Sequence, residues 1–370
     1  MDLTRLLPGP MCTLHLADMG ADVVKIEEIA VGDYARIIPP LQNKNSIFFN
    51  AINRNKRSVA IDLTKEDGRK IFSKLSENAD VIIESFRPGI VNKLGIDYNT
   101  LKKNNPKLIY CSITGYGQTG PYRDKAGHDI NYCSYAGILD GKGIPNFQIA
   151  DIVGGSLNAA MGILAALVQQ KMTGEGQYID VAMMDGVLAH TATALAMVNH
   201  GEQGFLTGAL PCYNIYETSD NKFMALVALE FKFWERFCTA VTRNDLVFKH
   251  MVTDTEAEKV FSEVAAIFKS NTRDYWTDKL KDVDCCASPV LSLKESLSGE
   301  QVKARNMVKV HNNSDEGEVT QFALPLKFSS FDFEIETPAP ILGQHTVQEL
   351  LLAGYSKAEI EQLRSNKIIL

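Results

Sequence analysis

The sequence predicts an α/β protein: a large, Rossmann-like, doubly wound domain with a mostly parallel sheet, followed by a smaller α/β domain. Three observations carry this. Short β-branched runs alternate with helical patterns through the first half of the chain. At 370 residues the chain exceeds what one hydrophobic core usually organises. Beyond a glycine-bearing stretch, the alternation gives way to a hairpin pattern and then to polar helices.

Taken in order, Val23-Val24-Lys25-Ile26, Ser58-Val59-Ala60-Ile61, Val81-Ile82-Ile83 and Leu108-Ile109-Tyr110 read as buried strands. Residues 64–77 read as an amphipathic helix, with Thr64 and Asp67 placed for its first turn. The chain begins at Met1-Asp2-Leu3-Thr4-Arg5, where a doubly wound domain has normally completed a strand, so the sheet is expected to lack its opening strand. Residues 154–171 form a helix of small and aliphatic residues, stopped by Thr173-Gly174-Glu175-Gly176. A strand, Tyr178-Ile179-Asp180-Val181, and an apolar helix over 184–200 follow, and 201–211 read as a crossing segment. Runs at 213–216 and 223–228 read as a hairpin around Asp220-Asn221, and polar helices start at Phe231, Thr255 and Thr272. The smaller domain ends near Arg305. In the tail, Pro338-Ala339-Pro340 is a turn, and Thr346 with Glu349 reads as a capping box.

Composition narrows the function classes. With 45% hydrophobic and 22% charged residues this is an ordinary globular composition. The net charge of −7 argues against a general nucleic-acid binder. The seven cysteines include no C-x-x-C pair, which points to reduced thiols in a cytoplasmic protein rather than a disulfide framework or zinc site. The amino terminus lacks a signal pattern, Lys367-Ile368-Ile369-Leu370 is not a peroxisomal address, and the most apolar helical stretch, 157–168, is too short to cross a bilayer, so no membrane partner is expected. Charge is uneven, however. Arg36, Lys44, Arg54, Lys56, Arg57, Lys65, Arg69, Lys70 and Lys74 face only Asp62, Glu66 and Asp67. That run is either a solvated helix face with its preceding loop or a site for a phosphate-bearing ligand.

Gly115-Tyr116-Gly117-Gln118-Thr119-Gly120 follows a strand and matches the dinucleotide fingerprint. That fingerprint needs a helix to begin inside the glycines, and Pro121-Tyr122-Arg123-Asp124 reads as a loop, which excludes the nicotinamide reading. His128 lies beyond this loop beside Asp129, which either orients the imidazole or caps a helix. Asp151 precedes Gly154-Gly155. It is a helix cap, or else an acid at a helix start whose N–H groups stabilise an oxyanion and whose glycines let a ligand approach the backbone. Glu230 precedes Phe231-Lys232-Phe233-Trp234, a first-turn charge or a third member of the set. An imidazole and carboxylates suit moving a proton on and off one carbon, with no metal or redox cofactor required.

Several stretches together resemble a known family. They are Leu7-Pro8-Gly9-Pro10, the run from Ala17 to Glu27, Asn53-Arg54-Asn55-Lys56-Arg57-Ser58, Glu84-Ser85-Phe86-Arg87-Pro88-Gly89, Thr114 to Pro121, and Ala339 to Thr346. The chain resembles the family III CoA-transferase superfamily over nearly its whole length. Gly127-His128-Asp129-Ile130-Asn131-Tyr132 further resembles the alpha-methylacyl-CoA racemase branch. The resemblance implies a 2-methyl-branched acyl-CoA substrate, with CoA as part of the substrate rather than a cofactor, and an interlocked homodimer. It implies a discontinuous large domain (1–182 and 318–370), a linker helix and crossing segment (183–208), a small domain (209–305) and a return linker (306–317). His128 and Asp151 would flank the substrate's C2, the partner subunit's Glu230 would orient His128, and the Asp129 N–H would face the enolate. Arg54, Lys56, Arg57, Arg87, Tyr116 and Gly117 would meet the CoA moiety. The alternative within the superfamily is CoA transfer between carboxylic acids through an Asp151 acyl anhydride. Phe231 stands where the family commonly has proline, and the 140–148 segment is short for a racemase.

Overall fold

The β-branched runs of the first half form parallel strands in a computed structural model of the chain, which describes residues 1–42, 45–139, 143–201, 204–313 and 317–370. Lys44 of the basic run and parts of the 140–148, crossing and return segments lie outside the described residues. The chain divides into two units, Met1–Thr191 with Asn306–Leu370, and Ala192–Arg305.

In the larger unit Val23–Glu27 pairs in parallel with Lys56–Ala60, and Val81–Glu84 pairs with Ile109–Thr114, which pairs with Tyr178–Ala182. The opening strand expected to be missing is represented by a stub. The Asp2 N–H donates to Val24 O and the Leu3 N–H to Ile83 O, each at 2.8 Å, while Ile26 and Ile83 donate back to Asp2 and Met1. Residues 1–3 therefore stand between Val23–Glu27 and Val81–Glu84, because an extended Asp2 bonds on both edges. Ile109–Thr114 is buried at every position, as a central parallel strand requires. The helix Glu66–Ser76 turns Gly68, Ile71 and Phe72 inward, an i, i+3, i+4 stripe. Fully burying Phe72 contributes about 2–3 kcal/mol.

Four buried charges sit beneath the stub. Lys25 Nζ lies 2.9 Å from Asp33 Oδ2 and 4.0 Å from Asp2 Oδ2, and Lys56 Nζ lies 3.5 Å from Asp2 Oδ2. Thr13 Oγ1 donates to Asp2 Oδ2 at 2.6 Å, and the Thr4 N–H to Asp2 Oδ1 at 2.9 Å. Asp33 Oδ1 accepts the Leu6 N–H at 2.9 Å, holding Leu6 in the left-handed region at φ 64°.

The apolar helix after residue 149 is longer than the sequence indicated. It begins as π-helical turns over Ala150–Leu157 and continues as an α-helix, Asn158–Thr173. At 24 residues and mean hydropathy 1.6 it is long and apolar enough to cross a membrane by those measures, which corrects the reading of it as too short. Ala159, Ala160, Ile163 and Ala166 are buried in the core. Leu157, Met161, Leu164, Val168 and Met172 form an exposed apolar row at helical spacing.

Gly154 and Gly155 serve packing. A Cβ on Gly154 would lie 2.3 Å from Met183 O, and one on Gly155 would lie 3.1 Å from Pro8 Cβ. The expectation that these glycines admit a ligand to the backbone is corrected accordingly. Gly154→Ala is expected to cost about 1–3 kcal/mol, read as a lowered thermal midpoint, because backbone rather than a flexible side chain must yield. An unchanged midpoint would refute the close approach.

Two further expectations change. The apolar helix foreseen over 184–200 is two helices, Met183–Ala189 and Ala192–Asn199, broken by a turn at His190 and Thr191. Thr346 does not cap its helix. It is the first helical residue, and its hydroxyl accepts the Ala60 N–H and donates to Gly343 O.

In the smaller unit the hairpin Tyr213–Glu217 and Phe223–Val227 is antiparallel, with Ala287–Pro289 beside the second strand. Helices Phe231–Ala240, Asp254–Lys269 and Arg273–Leu280 supply Trp234, Phe237, Phe268 and Trp276 to its core. Both indole N–H groups are satisfied, by Leu246 O and Phe268 O.

Candidate active site

His128 and Asp151 line one cavity of about 810 Å3 in the larger unit, at the carboxyl ends of Val81–Glu84 and Ile109–Thr114. Ligands of parallel α/β sheets bind at that end. Gly115 to Gly120 is a loop, and no helix begins before Asp129.

His128 is the N-cap residue of the helix Asp129–Tyr135, and its imidazole is exposed. Its N–H donates to Asn131 Oδ1 at 3.0 Å, and the Tyr132 hydroxyl donates to Gly127 O. These bonds fix the backbone on both sides of the imidazole. Gly127 packs closely against the aromatic lining, since a Cβ there would lie 2.8 Å from the Tyr116 hydroxyl. The Asp129 N–H heads the helix, where the first donors have no partner within the helix.

The Asp129 side chain turns away from the imidazole. Its Oδ1 accepts the Ala150 N–H at 2.6 Å and the Asp151 N–H at 3.1 Å. Those two N–H groups are therefore occupied, which corrects the expectation that this helix start supplies an oxyanion site. Asp151 is half-buried in the first π-helical turn, a conformation that recurs at functional sites. Burial, and then the neighbouring Asp129 charge, push its carboxyl up to about 7.

That shift has a consequence for stability. The folded chain holds the Asp151 proton more tightly than the unfolded chain, so this residue's contribution is full at low pH. It is lost as pH rises from about 4 towards 7. Asp151→Asn is expected to raise the thermal midpoint at pH 8 relative to the unsubstituted chain and to change it little at pH 4. Equal differences at both pH values would contradict the assignment.

Three cations of the basic run are engaged within the protein. Arg54 is buried, with Nη2 2.6 Å from Asp18 Oδ2 and Nη1 donating to Gln321 Oε1. Lys56 is buried and donates to Pro10 O and Asn53 Oδ1. Arg57 pairs with Asp22 and Glu349. All three are held by carboxylates or carbonyls distant in sequence, and none of them lines the cavity of His128 and Asp151. Gly117 is also a turn residue rather than a wall of the cavity, with φ +84° and its N–H on Thr114 Oγ1. Arg87 and Tyr116 do line the cavity, and Tyr116 packs edge-on against Tyr132 with ring centroids 5.1 Å apart.

Sequence reasoning missed Arg5, Arg123 and Lys125, which line the same cavity. Arg5 stacks over Tyr34 and Phe86, and Lys125 over Tyr122 and Tyr135. The available signal was the basic character of the loop ahead of His128. Glu84, also missed, is buried, which pushes it up to about 7. It accepts the Phe86 N–H at 2.7 Å and so anchors the arm that carries Arg87. Glu230 lies in the smaller unit as the exposed N-cap residue of Phe231–Ala240, and its side chain makes no cap bond.

The parallel α/β sheet thus carries an acid and an imidazole at its carboxyl end, in a cavity also lined by Arg5, Arg87, Arg123 and Lys125. CoA-transferase family III matches residues 1–346, and the chain belongs to that family. It is 32% identical to alpha-methylacyl-CoA racemase of Homo sapiens, over 100% of this chain and 96% of that protein. It is 30% identical to succinyl-CoA:glutarate CoA-transferase of Mus musculus, over 100% and 88%. A CaiB/BaiF family protein from Brucella suis has a similar structure, with TM-score 0.79 and 29% identity, covering 95% of this chain and 97% of that one.

Proposed function

We propose that the protein racemises 2-methyl-branched acyl-CoA thioesters at C2. His128 takes the C2 proton, the C–H electron pair moves into an enolate on the thioester oxygen, and the Asp151 carboxyl returns a proton to the opposite face. In the reverse direction the roles exchange. The Asp129 N–H at its helix terminus faces the enolate oxygen, where developing negative charge is best met. Arg5, Arg87, Arg123 and Lys125 meet the CoA phosphates in place of Arg54 and Lys56. The exposed row from Leu157 to Met172 suits burial against a second copy, and the partner subunit's Glu230 orients His128.

The observation that carries this reading is the Asp151 carboxyl pushed up to about 7 in the cavity it shares with His128. A two-base racemase needs an acid that can both give and take a proton near neutrality, which a carboxyl raised towards 7 can do. A strong transferase nucleophile would instead be held ionised. The test is one enantiomer of a 2-methylacyl-CoA incubated without any acceptor acid. Appearance of the other enantiomer is expected.

CoA transfer is the second reading, favoured by the comparable identity to the Mus musculus transferase. It requires an acceptor acid and a hydroxylamine-sensitive enzyme after acyl-CoA alone. Acceptor-dependent turnover with C2 configuration intact would establish it and overturn the racemase.

A further inference from the structure

The Asp129 carboxylate is used by neither reading, yet it is buried behind the cavity that His128 and Asp151 both line. It follows His128 directly in the chain, and it accepts the N–H groups of Ala150 and Asp151. Its other oxygen faces the Cys133 thiol at 4.0 Å. One carboxylate thus joins the cap that presents the imidazole to the turn that presents the acid. It also closes two of the first donors of the helix from Ala150, a position where negative charge is favoured.

We propose that Asp129 is a positioning residue: its carboxylate clamps the Asp151 turn to the His128 cap and sets a fixed negative charge against the Asp151 carboxyl. The inference rests on the racemase reading for its purpose, since only a proton shuttle benefits from an acid that keeps its proton near neutrality. The helix Asp129–Tyr135 and its cap face Asp151 with His128, Asp129, Tyr132 and Cys133. The other elements packed against the turn carry Cys12, His15 and Asp18 on Pro8–Asp18, Lys171 on Asn158–Thr173, Tyr178 and Asp180 on the neighbouring strand, and Asp185 on Met183–Ala189. Arg5, Arg87, Arg123, Asp124 and Lys125 share the cavity. Of all these, Asp129 is the charge that acts on Asp151 beyond burial.

Asp129→Asn separates charge from clamp, because the amide oxygen still accepts both N–H groups while the charge is gone. Asp129→Ala removes both. The experiment follows the Asp151 carboxyl by 13C NMR in aspartate-labelled protein, with its signal assigned from its loss in Asp151→Asn. In Asp129→Asn the Asp151 midpoint is expected to fall, while burial still holds it above the usual carboxylate range. The kcat profile is expected to lose its high-pH limb at a correspondingly lower pH, while KM stays within about twofold. Asp129→Ala is expected to lower kcat by a further factor of about 10–100, as a drifting turn misplaces the acid.

An Asp151 midpoint unmoved in Asp129→Asn would overturn the proposal. Asp129→Ser, which also lacks the charge, serves as a second uncharged variant. If neither variant folds, the unsubstituted protein decides, and an Asp151 midpoint in the usual carboxylate range would overturn the proposal. Failure of the racemase reading looks different. In that case the midpoint moves with Asp129 although the protein catalyses no inversion.

Discussion

His128→Ala is expected to lower the rate of C2 inversion by about 10²–10⁴, the range carried by a positioned general acid–base group. The fold should be unaffected. The imidazole is exposed, and the bond that fixes this position uses the backbone N–H, which alanine retains. Thermal midpoints of the two proteins should therefore coincide while turnover collapses. A transferase working through an Asp151 anhydride gives the imidazole no step, so the same substitution would leave CoA transfer nearly intact. Full inversion activity in His128→Ala would remove the imidazole from the mechanism.

Asp2→Ala is expected to be the most destabilising single change. Asp2 is completely buried and faces two buried ammonium groups, Lys25 and Lys56. Those ammoniums, with the Thr4 and Thr13 hydroxyls, hold its carboxyl far below the usual carboxylate range against the opposing effect of burial. Removing one partner of a buried ion pair costs about 3–5 kcal/mol, because the remaining charge is left uncompensated. Here Lys56 would keep only Pro10 O and Asn53 Oδ1. The loss should also reach the site, since the same network holds Asp33 and through it Leu6, which lines the cavity. Denaturant titration gives the number. A loss below about 1 kcal/mol would mean that water reaches the network.

The parallel sheet was legible because the sequence of a central strand carries its burial directly. Val81-Ile82-Ile83 and the run into Ile109 have no alternation to misread, and Glu66–Ser76 shows its inward stripe at helical spacing. What escaped depended on contacts between distant residues. Arg54 and Lys56 read as a cationic patch because charge is visible in sequence while Asp18 and Asp2, which neutralise them, are 36 and 54 residues away. Likewise the close approach of Gly154 to Met183 O, within the π-helical turns from Ala150, is a contact that no local pattern announces. Of the expected site, His128, Asp151, Arg87 and Tyr116 share one cavity, with Asp129 bonded to the turn behind it. The clamp itself was invisible, because an acid after a histidine reads equally as a ring partner or a helix cap.

The most direct measurement is proton NMR of a chiral 2-methylacyl-CoA incubated with the protein in D2O. Removal and return of hydrogen at one carbon predicts that the C2 proton is replaced by deuterium as inversion proceeds, with no other acid present. Retention of both the C2 proton and the starting configuration over many equivalents of enzyme time would contradict the account.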